Sequence, residues 1–129
     1  MEYAKTVVLD LPYDEAVPHV KETFAAEGFG TLTEIDVRQT LQTKISVEIE
    51  PYVILGTCNP NLAHQALEAD REVGLLLPCN VVVRADGERT VVHALNAQIM
   101  ATIPDHAKLE AVAQEANERI DRALATLQG

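Results

Sequence analysis

Apolar positions recur along the chain with two periods, and the switches between those periods mark out the elements. Thr6-Val7-Val8-Leu9 is a β-branched run within residues 3–11 and predicts a strand. From residue 13 to 26 the spacing lengthens to that of a helix, with Val17, Val20 and Phe24 on one stripe. Pro18 falls late for a first-turn proline and predicts a bend, and Gly28 and Gly30 stop the helix. Residues 29–35 predict a second strand. At 36–45, Val37, Leu41 and Ile45 repeat every four residues and Asp36 with Gln39 resembles a capping box, which predicts a short helix. Residues 52–58 are apolar and β-rich, the pattern of a buried strand.

Asn59-Pro60 has an N-cap residue followed by the proline that suits a first helical position, so a helix is predicted from there to Gly74. Residues 75–84 form the most apolar stretch. Asp86-Gly87 then separates it from Thr90-Val91-Val92-His93-Ala94-Leu95, a hairpin signal. From Pro104 to Leu127, Leu109, Val112, Ala113, Ala116, Ile120, Ala123, Leu124 and Leu127 make one continuous stripe, the mark of a long amphipathic helix. The order β-α-β-α-β-α-β-β-α predicts an α+β domain with helices on a mostly antiparallel sheet. No linker, repeat or low-complexity tract divides it, so residues 1–129 are expected to form one domain.

Composition narrows the function. The 129 residues hold 20 Asp and Glu against 10 Lys and Arg, a net charge of −10. The basic residues are scattered, there is no Trp, and Phe and Tyr number two and three, so neither a phosphate-binding patch nor a base-stacking platform is in view. Nucleic acid is not expected as a partner. Nor is a membrane, because no apolar run is long enough to span one. Residues 1–5 lack the basic and apolar regions of a secretory signal, which leads to the expectation of a cytoplasmic protein.

Two segments carry a resemblance: Tyr52-Val53-Ile54-Leu55-Gly56-Thr57-Cys58-Asn59-Pro60 and Gly74-Leu75-Leu76-Leu77-Pro78-Cys79-Asn80-Val81. With Glu27-Gly28-Phe29-Gly30, Thr33-Glu34-Ile35-Asp36-Val37 and the closing amphipathic helix, they resemble the bacterial and archaeal family called domain of unknown function 302. The resemblance implies a fold similar to the TATA-binding-protein-like arrangement: a curved antiparallel sheet, helices on one side, often in homodimers. It implies no activity. Where the family often has Asp-Pro after a strand, this chain has Asn96-Ala97, which puts any role of that Asp in doubt here.

Cys58 and Cys79 are the only cysteines, and each precedes an Asn. Cys58 ends a predicted strand beside a helix start, where N–H groups and the helix dipole favour a thiolate. Cys79 begins the strand after the same helix, so the topology can bring the thiols within about 7 Å or onto one cavity. A disulfide would need Cα atoms about 4.4–6.8 Å apart. A redox pair or a soft-metal site, with His64 as a third ligand, competes with plain burial of two small apolar residues. In the two-residue hairpin, Asn80 is expected opposite His93, on the face away from Cys79. His19 and His106 read as exposed helix residues. Asn59 reads as a cap, while Asn80, unusual in so apolar a run, could line a small polar pocket with Cys58 and Asn59. Glu48, Glu50, Glu68, Asp70 and Glu72 read as solvated. No phosphate loop, nucleophile elbow or His-Glu-x-x-His motif is present.

The expectation from the sequence is therefore a non-catalytic homodimer that binds a small ligand or a protein partner, with no cofactor required. The dimer rests on the apolar supply of residues 109–127 and Leu75-Leu76-Leu77. The alternative is a thiol redox or metal-binding protein using Cys58 and Cys79.

Overall fold

In the computed structural model, which describes residues 2–129, five strands form one open antiparallel sheet. They are β1 (Ala4–Leu9), β2 (Gly30–Asp36), β3 (Tyr52–Cys58), β4 (Cys79–Asp86) and β5 (Arg89–Leu95), lying in the order β1-β5-β4-β3-β2. The helices are α1 (Tyr13–Ala26), α2 (Val37–Ile45), α3 (Pro60–Ala69), α4 (Gln98–Thr102) and α5 (Ala107–Gln128).

Register decides which side chains reach the core. Leu55 stands opposite Val81 and Val53 opposite Val83, while Val83 and Val81 stand opposite Val92 and Ala94. A side-chain period of two places all six on one face, where none is more than 5% exposed. Helix α1 covers that face with Ala16, Val20 and Phe24, and α3 with Leu62 and Ala66. Helix α5 covers it with the whole predicted stripe from Leu109 to Leu127. That stripe is thus buried inside the chain and is not available to a partner, so it does not supply the motive for a dimer. Leu75, in contrast, is 86% exposed.

Several boundaries differ from the sequence reading, each for a local reason. The helix expected to reach Gly74 ends at Ala69, because the Asp70 side chain accepts from Glu72 N at 2.9 Å and opens a 3-10 turn over Arg71–Leu76. Strand β4 therefore starts only at Cys79. The last helix starts at Ala107 and not at Pro104: Asp105 takes a positive φ of 53°, and His106 Nδ1 accepts from Lys108 N at 3.2 Å as the cap. So His106 caps a helix and is not a residue of its exposed face. Helix α4 was not foreseen, since five residues are too few to show a period. Pro18 lies inside an α1 that continues through it. In the hairpin, Gly87 has φ 62° and Asp86 pairs with Arg89, so the loop is Gly87-Glu88. His93 consequently faces Val82 and not Asn80; a shift of two keeps the parity, and His93 still lies on the face away from Cys79.

Candidate functional site

Strand β3 ends where α3 begins, and Asn59 makes the junction. Its side-chain Oδ1 accepts from Leu62 N at 3.2 Å, and its carbonyl accepts from Ala63 N at 2.9 Å. Asn59 is 9% exposed, as a cap anchored at the edge of the core should be. Next to it, Thr57 Oγ1 donates to the Cys79 carbonyl at 2.7 Å and ties the end of β3 to the start of β4. Strand β2 passes close by: a Cβ at Gly56 would collide with Thr33 Oγ1 and come within 3.0 Å of Pro78 Cγ. The β2 register shifts between Thr31 and Thr33, leaving Leu32 outside the ladder and 69% exposed.

These elements line a half-open cavity of about 380 Å³. Phe29, Leu32 and Thr33 form one side, Leu62, Ala63 and Leu67 of α3 another, and Leu77, Pro78, Met100 and Ala116 close it. Thr57, Cys58, Asn59 and Cys79 complete the wall. The wall contains no carboxylate, Lys, Arg or His. A cavity of about 150 Å³ lined by aliphatic and aromatic side chains binds benzene; this one is more than twice that size. It is apolar, not the small polar pocket that the two Asn residues led us to expect.

Of the residues singled out from the sequence, Cys58, Asn59 and Cys79 come together on this wall. Asn80 does not: it is exposed, opposite Gly56, on the sheet face that carries no helix. His64 does not either. Its side chain is 74% exposed on α3, 3.4 Å from Glu68, and lines a separate polar groove with Arg119. With His64 elsewhere, the thiols lack the third ligand proposed for them, and among the described residues no group of three His, Cys, Asp or Glu is placed to hold a metal.

Both thiols are free. Burial pushes the Cys58 thiol above its ordinary value. Burial, helped by the neighbouring Cys58, pushes Cys79 up to about 11. This reverses the expectation that the helix start would favour a Cys58 thiolate. Pro60 brings no N–H to the helix start and the Asn59 side chain takes that of Leu62, while burial disfavours the charged thiolate.

His93 belongs to a different arrangement, on the uncovered sheet face. Arg84 Nε donates to His93 Nε2 at 3.1 Å, so Nδ1 carries the proton and donates to Thr6 Oγ1 at 2.8 Å. Burial and then the Arg84 charge hold its pKa below the ordinary value. The Asn96 position, where the sequence departs from the Asp-Pro pattern, is fully engaged. Asn96 Oδ1 accepts from Gln98 N at 3.0 Å and Asn117 Nδ2 at 2.9 Å, and its own Nδ2 donates to the Glu2 carbonyl at 3.0 Å. A carboxylate could make the first two bonds but not the third.

The residues that complete the wall from a distance, Met100 on α4 and Ala116 on α5, were not identifiable beforehand. Their apolar character signals core, and nothing in sequence separates a core position from a cavity wall.

The family model described as "Domain of unknown function DUF302" matches residues 5–127. The chain is also similar to a solved structure described as the crystal structure of an uncharacterized conserved protein DUF302 from Bacillus stearothermophilus. The identity is 27%, with a TM-score of 0.89 over 97% of this chain and 98% of that one. No curated protein matches.

Proposed function

The chain belongs to the DUF302 family, a domain of unknown function, and we propose that it is a homodimeric binding module that takes a small, neutral, apolar ligand between β3, α3 and Pro78. The carrying observation is the cavity of about 380 Å³ whose wall offers no charge. A charged ligand would lose its hydration there without a counter-charge. A neutral one gains in proportion to the apolar area it buries. Thr57 has its hydroxyl proton committed to Cys79 O and Asn59 its oxygen committed to Leu62 N, which leaves the Asn59 amide N–H as the side-chain donor of the wall and no charge to orient an ionic head.

The thiol reading ranks second. Its support is that Cys58 and Cys79 share the wall. Against it stands the burial that disfavours both thiolates, when a nucleophile or a metal ligand must be a thiolate.

Thermal unfolding in the presence of naphthalene, 1-decanol or decanoate tests the proposal. A ligand that binds only the folded state at about 100 times its Kd adds about 2.7 kcal/mol. The neutral probes should raise the midpoint and decanoate should not. Ala63→Trp, which fills the cavity from α3, should abolish the shift while the unliganded protein stays folded. No shift with either neutral probe, or an equal shift with decanoate, overturns the proposal.

A further inference from the structure

Residues 30–50 include no buried residue. That is unusual for a stretch containing α2, where Val37, Leu41 and Ile45 share one stripe at intervals of four. Ile45 is 62% exposed, and Ile35 and Val47 beside the helix are 49% and 42% exposed. A helix of nine residues does not hold itself together in water, and an amphipathic one is stabilised by whatever covers its apolar stripe.

Charge indicates the cover. Helix α2 carries Arg38 and Lys44 and no acidic residue, in a chain of net charge −10. A surface matching it exists on the same chain. Between α1 and the end of β2 lies a groove of about 340 Å³ with Tyr13, Val17 and Val53 in its wall and Asp14, Glu34 and Asp36 around them. Burial raises the Tyr13 phenol, and the three carboxylates raise it further; Lys21 pairs with Glu34, which leaves Asp14 and Asp36 to keep the groove negative. No residue of 37–45 lines the groove of its own chain. One surface is apolar and positive, the other apolar and negative.

We propose that α2 of each chain docks in the Tyr13–Val17 groove of a second copy, the two contacts being exchanged about a twofold axis. A symmetric pair satisfies both surfaces at once and closes, whereas a different acidic partner would cover α2 and leave the groove unmatched. The proposal rests on the homodimer reading above and names its interface.

Sedimentation equilibrium of the full chain at tens of micromolar tests it. The wild type should give the mass of two chains. Leu41→Asp should raise the dimer dissociation constant at least tenfold while the body of the chain stays folded, since the core contains no residue of α2. Two charge-swapped chains give a sharper test. Arg38→Glu with Lys44→Glu should be monomeric alone, as should Asp14→Lys with Glu34→Lys. An equimolar mixture should restore a two-chain particle, because each altered surface then meets an opposite one. A wild-type monomer overturns the homodimer reading itself. A wild-type dimer that Leu41→Asp leaves intact, or swapped chains that fail to recombine, overturns only this interface. Naphthalene binding, measured separately, bears on neither outcome.

Discussion

The two cysteines show how far a residue's surroundings can reverse its local promise. Position alone, at the end of a strand and the start of a helix, favours a reactive Cys58. The packed neighbours decide otherwise, since burial against an apolar wall disfavours both thiolates and Asn59 takes the Leu62 N–H at the helix start. Both thiols should therefore react with a disulfide reagent at pH 7 more slowly than free cysteine, Cys79 the slower of the two. A Cys58 that outpaces free cysteine would reinstate thiol chemistry. The same shift affects stability. The Cys79 pKa is raised in the fold, from about 9 to about 11, so the folded state holds its proton more tightly than the unfolded chain does. That contribution is complete below about pH 9 and is lost as the pH rises towards 11. Urea midpoints should fall more steeply over this range in the wild type than in Cys79→Val. Equal slopes would show that the thiol is not buried against its charged form.

Among the elements, legibility followed the length of the period. Helix α5 shows about five turns of one stripe, and β3 to β5 are long β-branched runs, so their existence and buried faces could be read directly. What could not be read depended on single side chains or on distant ones. The stop at Asp70 is a side chain competing for one backbone N–H, and α4 is held by Asn96 and Asn117, which are 21 residues apart in sequence. The candidate site was half legible. Cys58, Asn59 and Cys79 sit at strand ends whose meeting follows from topology. Asn80 was grouped with Cys58 and Asn59 because an Asn in so apolar a run needs polar company, yet a period of two sends it to the open face of the sheet. The two Asn residues should therefore behave differently. Asn59→Ala removes a cap and should cost about 1 kcal/mol in chemical denaturation. Asn80→Thr, on the open face, should stay within about 0.5 kcal/mol of the wild type. Equal costs would mean that Asn59 does not cap α3 in solution.

At the scale of the whole molecule, the charge distribution argues about partners where the fold does not. Among the described residues no helix is long and apolar enough to cross a membrane. The basic residues are spread out, and many are already engaged: Lys5 with Asp121, Lys21 with Glu34, Arg71 with Glu68, Arg119 with Glu115 and Arg122 with Glu27. On the uncovered sheet face, the surface an extended ligand would lie on, Arg84 is turned into the sheet by its bond to His93. Arg38 and Lys44 on α2, Arg89 on β5 and Lys108 on α5 remain, on three separate elements and too few to neutralise a run of phosphates against a net charge of −10. Each phosphate contact contributes roughly 0.9 to the slope of log affinity against log salt, so a protein that makes two such contacts gains little at physiological salt. Gel-shift titration with duplex DNA and with single-stranded oligonucleotides should accordingly show no complex at micromolar protein in physiological salt. A retarded band whose affinity falls with a slope of several per decade of salt would mean that Arg38, Lys44 and Arg84 converge in solution on one nucleic-acid surface, and that the electrostatic reading of this sheet is wrong.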